Sequence, residues 1–217
     1  MIQLFRLKDY FEVVAVRKWF LDKSVESIRK NYPEYSETKI EEIRYGLEGI
    51  YILITKMLII FSISYFLGIL KSVIILTLLF AGVRNFAFGI HASKSIFCLI
   101  ISSIVFMGAP YLAREITLSP HTMLAAASIC VVLYIIYAPA DTKKRPLVNK
   151  KKRIKFKIST ILVGVIYIIG LIFINNICLK NLILFSLIIE LFMILPITYK
   201  LFGQPYNNYK NFKLTSL

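Results

Sequence analysis

His91 and Cys98 stand seven positions apart in the stretch VRNFAFGIHASKSIFCLI, Val83–Ile100. The chain has only two histidines and three cysteines, so an imidazole and a thiol in one short segment invite a chemical reading. A thiol with an ordinary pKa of about 8.5 is only a few per cent thiolate at neutral pH, and the thiolate is the nucleophile. Two neighbours would raise that fraction. An imidazole can take the proton and, once charged, favour the anion. A helix N-terminus favours it too, through its unsatisfied N–H groups and its dipole. Ser93 or Ser95 can cap a helix, which would leave Cys98 in the first turn or so. Each residue also has a plainer role: His91 as a polar anchor at a membrane surface, Cys98 as packing.

Geometry sets a condition on the chemical reading. Residues seven apart share a helical face, but along an unbroken helix their Cα atoms are about 10 Å apart. A base must come within roughly 3 Å of the proton it takes. The pair therefore requires a bend between Gly89 and Ser95, and Gly89 is the residue free to adopt unusual backbone angles there.

The elements that must position this pair are membrane helices. Of the 217 residues, 58% are hydrophobic, and the mean hydropathy is +0.70. Soluble domains rarely exceed about half apolar, whereas runs of roughly 18 apolar residues fit a bilayer core. The expected fold is all-α and polytopic, because backbone in hydrocarbon must satisfy its own hydrogen bonds. Residues 1–45 read as amphipathic cytoplasmic or interfacial helices: Leu4, Leu7, Phe11 and Val14 share one face, and Pro33 breaks the pattern before a cap at Ser36 or Thr38. Residues 46–202 read as six spans, at about 46–67, 72–88, 95–113, 121–138, 158–174 and 182–201. Residues 203–217 form a tail. The segmented N-terminus has no uninterrupted apolar run, so no secretory signal is expected.

The net charge of +15 is uneven. Met1–Glu48 balances nine bases with nine acids, while nine further bases lie between Lys143 and Lys157. Lys/Arg-rich loops stay cytoplasmic. The alternation therefore puts both termini, the His91–Cys98 segment and the basic 139–157 loop on the cytoplasmic side of the cell membrane. Lys56 and Glu190 fall at membrane depth, where ionisable groups suggest function; a snorkelling lysine or a Lys–Glu pair is the bland alternative. Glu48 and Asn85 could orient His91.

Several classes drop out. There is no HExxH helix and no metal-ligand spacing, so no metal or other cofactor is expected. The aspartates, Asp9, Asp22 and Asp141, all lie outside the spans, which excludes an intramembrane aspartyl dyad. No soluble basic face offers itself to nucleic acid. Cys130 and Cys178 read as packing and as an incidental loop residue, and three cysteines make no disulfide framework.

The segment RNFAFGIHASKSIFC resembles the signature of the accessory gene regulator B (AgrB) family, with Arg84, Gly89, His91 and Cys98 on the pattern R-x4-G-x-H-A-x5-C. IRYGLEG, Ile43–Gly49, is similar to the entry of that family's first membrane helix, and YAPADTKKRP, Tyr137–Pro146, to its loop after the fourth. The surround of Phe88 and Ile90 departs from many relatives, which carry a second glycine or a polar residue there.

The resemblance implies a membrane cysteine endopeptidase of peptide quorum sensing, commonly dimeric. Its nucleophile would be Cys98 and its base His91, with Arg84 and Gly89 also needed. Its partner would be a small amphipathic propeptide with an internal cysteine and an acidic C-terminal tail, cut to yield a cyclic thiolactone. Lys143, Lys144 and Arg145 could attract that tail, with Lys56 and Glu190 as further substrate contacts. The competing reading is a small peptide or ion transporter that uses Lys56 and Glu190 and leaves Cys98 inert.

Overall fold

The structure, a computed structural model, describes residues 2–90, 95–142 and 146–210. Side chains are described from Val16 onward and, in the helix that begins at Ser95, from Leu99 onward. The described chain is helical, and it divides into two compact units, Met1–Ile59 and Ile60–Leu217.

The first unit holds α1 (Ile2–Asn31) and most of α2 (Glu37–Phe66). Pro33 enforces the stop between them, as expected. Ser36 then caps α2, its Oγ accepting the Lys39 N–H at 3.3 Å. Leu21, Val25 and Ile40 are buried here. Arg44 pairs with Asp22 at 2.7 Å, and Arg17 with Glu48 at 3.4 Å. Such exposed pairs stabilise little, about 0–1 kcal/mol each; they set the register of the hairpin.

The second unit is built around α7 (Ile177–Ile194), which packs against α3 (Leu70–Ala87), α4 (Ser95–Glu115), α5 (Pro120–Tyr137) and α6 (Lys150–Phe173). Apolar area gives little drive between helices in lipid, so packing and buried hydrogen bonds decide the contacts. Tyr134 donates its hydroxyl to Leu187 O at 2.6 Å and Tyr167 to Leu79 O at 2.7 Å. Asn181 donates to Ala113 O and Ile116 O, satisfying carbonyls at the end of α4. A Cβ on Gly164 would stand 2.7 Å from Val131 Cγ2, so the α5–α6 approach depends on that glycine.

Among the described residues five helices, α2, α3, α5, α6 and α7, are long and apolar enough to cross a membrane. Helix α4, 21 residues long, covers the expected third span. Two boundaries differ from the sequence reading in ways that matter. The basic loop was expected to run to residue 157, but α6 already begins at Lys150, with Asn149 Oδ1 accepting the Lys152 N–H at 3.2 Å. Lysine and arginine are good helix formers, so a capped cationic run extends the span instead of preceding it. The expected sixth span, 182–201, is cut. Pro196 disfavours helical angles in the residue before it, and Leu195 is extended, with ψ 138°. A short helix, α8 (Pro196–Leu201), follows. Cys178 sits in the first turn of α7 rather than in a loop.

Candidate active-site frame

The approach to His91 is built from three breaks in helical structure. Helix α3 stops at Ala87, and the next two residues take left-handed angles, Phe88 at φ 62° and Gly89 at φ 103°. A side chain is rarely tolerated at the second of these. The helical path from Arg84 is thereby turned aside before His91; the bend expected between His91 and Cys98 falls on residues outside the described ones. Helix α4 begins afresh at Ser95. Cys98 is its fourth residue and so belongs to its first turn.

The turned segment is fastened on two sides. Gly89 N donates to Ala140 O at 2.8 Å, and Ala140 N donates to Ala87 O at 2.9 Å. This is a parallel bridge between Phe88 and Ala140. On the other side Ile90 N donates to Met193 O at 2.9 Å. That carbonyl is free because the Leu195–Pro196 break ends α7 there. A Cβ on Gly89 would lie 2.5 Å from Arg84 Nη1 and 2.7 Å from Met193 O, so glycine is required by space as well as by φ.

Arg84 closes the frame from within. Its Nη2 donates to Gly89 O at 3.0 Å and Ile90 O at 2.7 Å, while Nη1 lies 3.5 Å from Glu190 Oε1. One planar guanidinium thus serves two carbonyls and a carboxylate, a task its fixed fork suits and an ammonium does not. Glu190 is fully buried in α7, and its Oε2 has no hydrogen-bond partner among the described residues. A buried carboxylate with one cationic partner is costly to keep. Here it holds the arginine that holds Gly89 and Ile90.

The loop after α5 has its own anchor. Asp141, 2% exposed, accepts N–H groups from Leu147 at 3.2 Å, Asn208 at 2.9 Å and Tyr209 at 2.8 Å. The Tyr199 hydroxyl donates to Ala140 O at 3.1 Å and Asp141 O at 3.0 Å. The described part of the tail is therefore docked on this loop. Tyr206 contributes a T-shaped contact to the Tyr199 ring and lies 3.4 Å from Tyr137 O. Burial pushes the Tyr206 phenol up to about 12.

Two segments that the sequence singled out separately, Arg84–Ile90 and Tyr137–Asp141, are thus brought together. His91, Ser93, Lys143, Lys144 and Arg145 lie outside the described residues; Ser95 and Cys98 are described in backbone only. Ser95 is the first helical residue of α4, one position inside the expected cap. Asn85 is exposed on α3. The Glu48 carboxylate is engaged by Arg17. Lys56 lies in α2. Of the alternatives for Glu190, a pair with Lys56 is replaced by an ion pair with Arg84. Arg84 belongs to the last turn of α3 and reaches the buried Glu190. Asp141, Tyr199 and Asn208 were missed. For Asp141 the signal was a lone acid ahead of nine bases; the other two had none.

The family model for accessory gene regulator B matches residues 21–194. A putative AgrB-like protein of Clostridium acetobutylicum is 37% identical over 174 residues, covering 80% of this chain and 83% of the relative. One from Listeria innocua is 29% identical, covering 79% and 84%. The accessory gene regulator protein B of Staphylococcus aureus is 34% identical over 131 residues, covering 60% and 70%. No solved structure matches the chain. The Arg84–Gly89 frame lies inside the matched region, and the chain belongs to the accessory gene regulator B family.

Proposed function

We propose that this chain is a six-span membrane cysteine endopeptidase that processes a small propeptide for quorum sensing, with both termini and the active site facing the cytoplasm. His91 removes the Cys98 proton, and the thiolate attacks a propeptide carbonyl. N–H groups at the start of α4 stabilise the oxyanion. The C–N bond breaks as the imidazolium returns its proton to the leaving amine, leaving an acyl thioester on Cys98. Attack by the propeptide's own cysteine exchanges one thioester for another, releases a thiolactone and restores the Cys98 thiol. Exchange between thioesters is nearly balanced, while forming one from an amide is uphill. The site must therefore exclude water, and the released acidic fragment must be removed.

Family membership supports this reading, and one observation carries it in structural terms. The break at Phe88–Gly89, held by Arg84, Ala140 and Met193, ends α3 ahead of His91, and Cys98 falls in the first turn of a separate helix, α4. The transporter reading leaned on Glu190, and that carboxylate is engaged by Arg84.

The test uses the purified chain in vesicles with its propeptide. Cys98→Ser and His91→Ala should each abolish cleavage while leaving insertion intact, and the wild-type product should be a thiolactone. Linear acid as the sole product, or cleavage surviving Cys98→Ser, overturns the mechanism. Neutralising Lys143, Lys144 and Arg145 together should raise KM without inverting the protein if they dock the acidic tail.

A further inference from the structure

A cavity of about 700 Å³ opens beside the loop that holds Gly89. It lies between the end of α5, the first turns of α6 and the docked tail. Among the described residues four cations line it, Lys150, Arg153, Lys157 and Lys210, and no acid does. We propose that this cavity binds the phosphate headgroup of an anionic phospholipid.

Three observations carry the assignment. First, the cations converge. Lys150, Arg153 and Lys157 are spaced three and four apart, on one face of α6. Topological bias needs positive charge somewhere in a loop; it does not need that charge gathered on one cavity wall. Second, the cations are available. Arg153 stacks on the Tyr209 ring at 3.4 Å, and Tyr209 is fixed in turn by its N–H bond to Asp141. The guanidinium is thus held in place by a ring face instead of a carboxylate. Among the described residues none of the four cations has a carboxylate within ion-pair distance.

Third, the site is amphipathic in the manner of a lipid. Ile136 and Ile154 also line the cavity, and both are exposed, at 59% and 49%. Ile158, one turn further along α6, is 55% exposed and continues that flank. A headgroup phosphate would meet the cations while its acyl chains lay along these isoleucines. A soluble acidic peptide or a free phosphate would use the charges and leave the apolar flank uncovered. Basic pockets between membrane helices are suited to anionic headgroups in this way.

The experiment reconstitutes the full chain in nanodiscs of equimolar phosphatidylcholine and phosphatidylglycerol, then reads retained lipid by native mass spectrometry. The wild type should retain phosphatidylglycerol in preference to phosphatidylcholine. At roughly fivefold per base, the Lys150→Gln/Arg153→Gln/Lys157→Gln variant should lose about a hundredfold of that preference. Lys71→Gln/Lys180→Gln, which removes bases elsewhere, should retain it. Should the triple variant fail to fold, Lys150→Gln/Lys157→Gln leaves Arg153 on its ring and should still lose more than tenfold. Equal retention of the two lipids, or a preference untouched by either variant, overturns the proposal. So does displacement of the phosphatidylglycerol by inorganic phosphate or by a glutamate-rich peptide, which would assign the cavity to a soluble anion or to an acidic peptide.

Discussion

Replacing Gly89 by alanine tests the frame most directly. The new Cβ would stand 2.5 Å from Arg84 Nη1 and 2.7 Å from Met193 O, on a backbone at φ 103°. The left-handed backbone costs an L-residue about 1–3 kcal/mol. Relieving the clash means moving the Gly89 segment away from Met193 or Arg84. That loses one or two of the hydrogen bonds from Ile90 N and Arg84 Nη2, at about 1 kcal/mol each. Together these give about 2–5 kcal/mol against the docked segment, roughly thirtyfold to a few thousandfold in its population. The loss is local, because Gly89 lies between α3 and α4 rather than within either. Hydrogen exchange should show the Gly89 and Ile90 amides deprotected while the α5 and α7 amides keep their protection, and propeptide cleavage should fall by a similar factor. Gly108→Ala in α4 is the control: a Cβ there meets nothing within 4 Å, and alanine is the better helix former. If Gly89→Ala kept both amide protection and cleavage, the contention that this glycine is demanded by the Arg84–Met193 contact would be refuted.

Three further outcomes follow from the same frame. Arg84→Met should destabilise by about 3–5 kcal/mol, because it leaves Glu190 buried and unpaired, and Arg84→Met/Glu190→Leu should recover much of that loss; additive thermal-unfolding effects would contradict the pairing. Asp141→Asn removes the charge that gathers three backbone N–H groups. It should release the tail, read as faster proteolysis near residues 203–210 with the spans unchanged. Tyr206, held up to about 12 by burial, contributes a pH dependence of definite sign. Its phenol ionises near 10 when unfolded but later when folded. The stability it supports is therefore complete below pH 10 and is lost as pH rises from about 10 towards 12. Tyr206→Phe should flatten that part of the unfolding profile, and an unchanged profile would show that the phenol is not buried as described.

Much of the architecture was legible because the bilayer leaves few choices. Apolar runs of span length must be helices, and they appear within a few residues of where composition put them for α3, α4 and α5. Boundaries failed where local chemistry and hydropathy disagree. The cations of Lys150–Lys157 lower hydropathy without lowering helix propensity, so α6 starts before its apolar run does. The run at 182–201 stays apolar through a proline that breaks the helix, so a span and a short helix read as one.

The candidate site divides in a similar way. Types and spacing point to His91 with Cys98 and to Gly89 as a hinge; the structure bears on the last alone, since Gly89 takes φ 103° and glycine alone lacks a Cβ, while His91 lies outside the described residues. Asp141 ahead of its run of bases and Arg84 on the family pattern were visible, but not their partners. That Arg84 clamps Gly89 and Ile90 and meets Glu190, that Ala140 pairs with the turned segment, and that Met193 offers it a free carbonyl are decided only in three dimensions. Apart from the local clamp of Arg84 on Gly89 and Ile90, each bond joins residues from about fifty to more than a hundred positions apart in the chain, brought together by helix packing, and hydrophobic patterning gives the face each helix buries but not which neighbour it meets.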